Sequence, residues 1–292
     1  MKFSEFDAYT PREITQRVEE IGVTKARLPL LSLAMLGLLA GAFIGLGALY
    51  FVLVAADPTL GFAETRLFGG LVFSLGLILV IVAGAELFTG NNLLAMAWVD
   101  RKITTKELLR NWFIVCATNF VGAFGLALLV YWSGHTDMNN GLVAIQYVKI
   151  AAMKSSLPFV EAFFLGVLCN SLVCMAVWMA LAGRSVIDKT VAIVFPISAF
   201  VAAGFEHSIA NMYLIPMGLL LKSSVSVAVP NIEALTWIGF LHNLAPVLAG
   251  NVVGGSIFVA LVYYIIYGRA AKEPQPTRKA REARRNVREV TR

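Results

Sequence analysis

Residues 204–214 read GFEHSIANMYL and lie inside an apolar run from Val191 to Leu221. Glu206, His207, Ser208 and Asn211 therefore occupy positions where lipid or a dry core is expected. Polar residues beside a glycine in mid-span are costly unless the helix breaks there and its freed main-chain groups line an enclosed or wet cavity. The pattern occurs twice. Residues 84–94 read GAELFTGNNLL, so Gly84, Glu86, Asn91 and Leu94 recur as Gly204, Glu206, Asn211 and Leu214 at a constant offset of 120.

Each stretch sits in one of six apolar runs. Leu28 to Ala56 carries no charge and exceeds the roughly 20 helical residues that cross a hydrocarbon core. Similar runs follow at about Leu67–Trp98, Trp112–Trp132, Phe159–Ala182, Thr190–Leu221 and Trp237–Tyr267. With 58% hydrophobic and 14% charged residues over 292 positions, and a mean hydropathy of +0.75, the chain holds more apolar material than a soluble domain buries. An all-α membrane protein of six transmembrane helices is expected over residues 28–267. The lead, residues 1–27, places Phe6, Ile14, Val18 and Ile21 among Arg12, Arg17, Glu19 and Glu20. That is not the layout of a cleavable signal, and it reads as a retained helix at the membrane surface.

A second echo fixes the topology. TNFVGA and GNVVGG align Asn119 and Gly122 with Asn251 and Gly254, in the third span of each half. Two halves of three spans, about 28–133 and 159–267, must insert upside down relative to each other. This is a 3+3 inverted repeat with broken second and fifth helices. Half-helix N-termini near Thr89–Asn91, around Gly90, and near Ser208–Asn211 would turn amides and partial positive charge toward the cavity, which favours an anion.

Of the 24 lysines and arginines, 20 fall in the two termini and the loops on their side. Excess basic residues mark the cytoplasmic face, so both termini are expected there. The tail, residues 268–292, carries 9 basic and 3 acidic residues. It fits either binding to anionic membrane lipid or a solvated end that enforces topology; nucleic acid is not an expected partner. Cys116, Cys169 and Cys174 lie within spans at spacings that match no metal motif. No metal and no cofactor are expected.

AELFTGN, LCNSLVCMAVWMALAGRS, FVAAGFEHSIANMYLIPMG and GNVVGG, taken in order, resemble the formate/nitrite transporter family, and FSLGLILVIVAGAELFT with FEHSIANM is similar to its formate channels. The resemblance implies an aquaporin-like protomer in a homopentamer, in a prokaryotic cytoplasmic membrane. It places the family's central histidine on His207, its threonine on Thr89, its vestibule lysine on Lys154 and its pore-side asparagines on Asn170 and Asn251. Constrictions would involve Phe73, Leu77 and Phe200 on the outer side and Leu87, Phe88 and Val173 on the inner.

A small carboxylate crossing rings of Phe and Leu faces a desolvation cost that protonation largely removes. Formate–proton symport is therefore expected, with Lys154 drawing in the anion and His207 donating or polarising, directly or through water, from a buried and neutral imidazole. Thr89 orients either partner, and break-point amides around Gly90 and Ser208 hold the charge. A passive anion leak is the competing mechanism, and nitrite or hydrosulfide the competing substrates. Glu86 and Glu206 are expected to brace the breaks, because a carboxylate facing the pore would repel an anion. A membrane enzyme using Glu206 and His207 as an acid/base pair is disfavoured, since adjacent helical residues point about 100° apart.

Overall fold

Charge-free apolar stretches of this length must satisfy their main chain internally, and helices do so. The computed structural model describes residues 8–268; the start of the lead, residues 1–7, and the basic tail from residue 269 lie outside the described residues. The helices are α1 (Pro11–Ala26), α2 (Leu30–Ala55), α3 (Phe62–Ala83), α4 (Leu94–Val99), α5 (Thr105–Trp132), α6 (Leu142–Ser155), α7 (Phe159–Ala182), α8 (Val186–Ala203), α9 (Ser208–Leu221) and α10 (Trp237–Val252). A 3-10 turn, Gly90–Leu93, leads into α4, and α10 continues as a π-helix over Val253–Leu261. Six helices are long and apolar enough to cross a membrane, the last running to Gly268. The protein is a multi-pass membrane protein.

The second and fifth spans break as their sequences require. Gly84 ends α3 at φ 84° and Gly204 ends α8 at φ 76°, a left-handed conformation that side chains with a Cβ rarely adopt. Beyond each glycine the chain runs unwound before helix resumes, at Gly90 in one half and Ser208 in the other. Capping boxes at Thr10/Glu13, Thr104/Glu107 and Ser185/Asp188 set the starts of α1, α5 and α8.

The structural repeat contains one helix more than the three spans. α1 packs on α4, and α6 packs on α9 in the other half. The lead is therefore docked through Ile14, Val18, Gly22 and Ala26, all buried, instead of floating at the surface. Lys102 ties it further by bridging Glu19 of α1 and Asp100. α2 packs against α3 and α5, and α7 against α8 and α10. At each crossing a glycine admits the opposing backbone. A Cβ on Gly122 would lie 1.9 Å from the Leu38 carbonyl oxygen, and one on Gly254 would lie 2.2 Å from that of Val167.

These approaches set a stability test. Gly254→Ala cannot be accommodated without separating α7 from the last span, and should cost about 1–3 kcal/mol. Gly125→Ala, where an added Cβ meets nothing within 4 Å, should leave the thermal midpoint in detergent unchanged or raise it. Equal midpoints for the two variants would contradict the packing described.

Candidate functional site

Unwinding a helix frees main-chain groups, and two asparagines collect them. Asn119 donates from Nδ2 to the carbonyls of Gly37 (2.6 Å) and Glu86 (2.9 Å), and its Oδ1 accepts the Phe88 amide at 2.9 Å. Asn251 repeats the pattern, donating to Gly166 (2.9 Å) and Glu206 (3.0 Å) and accepting the Ser208 amide at 3.0 Å. The Glu86 and Glu206 amides reach Leu36 and Leu165 on α2 and α7. Asn251, read as pore-side by resemblance, thus has its polar atoms committed to main chain.

The two carboxylates are braced in matching fashion. Glu86 accepts from Asn91 Nδ2 at 2.7 Å and pairs with Lys25 at 2.9 Å. Asn91 also donates to Asn111 (3.0 Å), which donates to the Lys25 carbonyl at 3.1 Å. In the other half Glu206 accepts from Asn211 at 2.6 Å and pairs with Lys154 at 2.5 Å. Asn211 donates to Asn243 (2.8 Å), which donates to the Lys154 carbonyl at 2.8 Å. The donors are side-chain amides and lysines, and for Glu206 they include Asn243 of the neighbouring span α10 at 3.3 Å.

The breaks meet at Thr89 and His207, with Oγ1 to Nε2 at 3.0 Å and both residues buried. His207 is the N-cap of α9, and its Nδ1 accepts the Ala210 amide at 3.1 Å. A nitrogen that accepts carries no proton, so the neutral ring holds its hydrogen on Nε2, directed at Thr89. The break-point amides are less available than expected, since the Ser208 amide is taken by Asn251 and that of Ala210 by His207. Asn170 donates to the Thr89 carbonyl at 3.2 Å, to Asn92 at 2.8 Å and to the Asn251 carbonyl at 2.7 Å. Cys174 Sγ reaches the same Thr89 carbonyl at 3.4 Å.

Two cavities approach this junction. The far one, opposite the docked lead, is lined by Lys154, Phe73, Phe200, Glu206 and His207. Phe73 and Phe200 meet edge to face with centroids 5.6 Å apart, and Phe200 stacks on His207 at 5.8 Å. The near one is lined by Lys25, Leu77, Leu87, Gly90, Asn91 and Val177. Phe73 and Leu77 lie four residues apart on α3, a rise of about 6 Å, so one apolar turn separates the cavities. Leu77, one turn from Phe73 on the same helix, lines the near cavity. Phe88 turns its ring onto Trp112, centroids 6.5 Å apart, and Val173 packs in the core.

Lys25, Asn111 and Asn243 were not singled out by sequence reasoning. Their signal was present: Asn111 and Asn243 precede Asn119 and Asn251 by the same eight residues. No cluster of three His, Cys, Asp or Glu able to hold a metal occurs among the described residues.

A formate/nitrite transporter family profile matches residues 12–265. The chain is 40% identical over 274 residues to "Formate channel FocA" of Escherichia coli (strain K12), covering 90% of this chain and 96% of that one. It is 41% identical over 261 residues to "Uncharacterized transporter YrhG" of Bacillus subtilis (strain 168), covering 88% and 93%. A solved "Pentameric formate channel with formate bound" superposes with a TM-score of 0.74 at 36% identity, covering 82% of this chain and 97% of that chain. An "FNT family ion channel" gives 0.77 at 30%, covering 87% and 98%.

The Lys154–Glu206 pair is buried, with side chains 11% and 2% exposed. Removing one member of such a pair strands the other charge, whereas removing both need not. Lys154→Met should destabilise by about 3–5 kcal/mol, and Lys154→Met/Glu206→Gln by clearly less, read as thermal midpoints. A double variant worse than the single would refute the pairing.

Proposed function

The chain belongs to the formate/nitrite transporter family, and on that premise we propose that it carries formate across a cytoplasmic membrane together with a proton, as a homopentamer with one pathway per subunit. Formate and the pentamer rest on what the similar proteins are described as doing. The observation that carries the mechanism is the Thr89–His207 contact between two cavities. The concentration of basic residues at the terminal end supports placing α1 and the near cavity in the cytoplasm. The relatives are transporters and channels, and Glu206 is engaged by Lys154 and Asn211, which points away from acid/base catalysis.

A formate ion entering the far cavity exchanges water for the hydroxyl of Thr89, whose oxygen accepts the Nε2–H of His207 and whose own hydrogen is thereby left to donate to the anion. His207 cannot surrender that proton, because Nδ1 already accepts the Ala210 amide and loss would leave an imidazolate. The proton therefore comes from water in the vestibule, adds to the carboxylate, and leaves again as the acid emerges on the other side. One formate and one proton cross per cycle, and His207 ends as it began. Neutral formic acid passes the apolar turn between Phe73/Phe200 and Leu77/Leu87 at far lower desolvation cost than the anion. Asn170 holds the Thr89 main chain in register. Lys154, Glu206, Asn211 and Asn251 hold the His207 break, and Glu86, Asn91, Gly90 and Asn119 the other.

Stopped-flow uptake in proteoliposomes tests this. Formate should lead nitrite, hydrosulfide and lactate, and its rate should rise with an inward proton gradient. His207→Asn keeps an acceptor for the Ala210 amide and deletes Nε2–H, so the variant should fold while formate flux falls about tenfold or more. Another leading anion would overturn the substrate; wild-type flux indifferent to the gradient, or an unimpaired Asn variant, would overturn the mechanism.

A further inference from the structure

The far cavity contains a cation that this pathway leaves unused. Arg66, in the second turn of α3, is half-buried and lines the same cavity as Lys154, Phe73 and His207. Its Cζ lies 5.3 Å from the centroid of the Phe62 ring. Its Nη1 lies 3.4 Å from the position of a Cβ on Gly204, the left-handed residue that ends α8. The guanidinium therefore sits over the helix break itself, at the rim of the vestibule.

Three charged side chains line this cavity: Arg66, Lys154 and Glu206. Lys154 and Glu206 are 2.5 Å apart, and an ion pair that close presents little net field to an anion several ångströms away. Lys154 is spent on Glu206. Among the described residues, by contrast, Arg66 has no carboxylate oxygen within 4 Å and donates no hydrogen bond. The net charge of the vestibule is thus the charge of Arg66. Its planar fork of donors matches a carboxylate in two parallel hydrogen bonds. An aromatic face beneath it steadies the cation while leaving those donors open.

We infer that Arg66 attracts and first binds the substrate carboxylate at the far mouth, and that Lys154 serves Glu206 instead. The inference rests on the reading of this cavity as the entrance for a small anion. Capture then depends on one uncompensated, permanently charged group, and the anion passes from the Arg66 fork to the Thr89–His207 pair beneath Phe73 and Phe200.

The test uses the full chain in liposomes with the far end outward, at a fixed proton gradient, comparing wild type with Arg66→Gln and Arg66→Lys. At low ionic strength the Gln variant should show KM for formate raised roughly tenfold with kcat little changed, and the Lys variant should recover much of the loss. At about 0.5 M salt, where screening acts within a few ångströms, wild type and Gln should converge. Equal KM at low salt, or a gap that survives high salt, overturns the role of Arg66 and leaves formate transport standing. If wild type moves no formate, that reading falls; the same comparison run on nitrite then decides Arg66 by the same two criteria.

Discussion

A membrane helix that unwinds must find protein partners for the amides and carbonyls it releases, because lipid offers none. Here that debt is met by Asn119 and Asn251, each of which donates twice and accepts once across three segments of its own half. A primary amide is suited to this, since it supplies two donors and an acceptor from one uncharged group. The segments it gathers are the break, the first span of its half and its own span. Close approach of those spans is in turn possible because Gly122 and Gly254 stand at the crossings. Small residues and asparagines thus form one device: glycine brings the backbones near, and the amide ties them.

Glu86 and Glu206 extend the device to α1 and α6. Each carboxylate is fixed by an asparagine five residues on and by a lysine at the end of the accessory helix. The negative charge is consumed locally in both halves, which answers how a pathway for anions tolerates two buried carboxylates. It also explains why the lead is docked. A helix whose half-buried Lys25 pairs with the buried Glu86 is tied to the bundle and does not lie free on the membrane surface, whatever its amphipathic spacing suggests.

Much of this was legible in the sequence. Six apolar runs, two matched polar interruptions and the Asn-x-x-Gly echo gave the spans, the breaks and the inverted repeat, because lipid leaves few ways to satisfy a backbone. The accessory helices were harder to read. α6 is short and follows a loop, and its kinship with α1 lies in one lysine, Lys25 against Lys154, at an offset of 129 that differs from the 120 of the breaks. Loops of different length between repeated elements shift the offset and hide the match. Pore-facing and core-facing residues were equally apolar, so the orientations of Leu77 and Val173 depended on helix rotation, and that of Phe88 on the path of the unwound segment, neither of which composition encodes.

The Thr89–His207 contact lies where the repeat is broken. At the offset of 120, His207 corresponds to Leu87 and Thr89 to Ile209, so the contact at the centre joins non-equivalent positions of equivalent segments. Asn170 and Cys174, which hold the Thr89 carbonyl, act on only one half as well. Arg66 faces Val186 across the same offset, which leaves the far mouth with a cation that its counterpart lacks. A symmetric scaffold can supply two funnels of similar shape, but it cannot by itself provide a single Thr–His hydrogen bond at their junction. Divergence of a few side chains on matched backbones does so, because each break already presents its residues to the other at hydrogen-bonding distance.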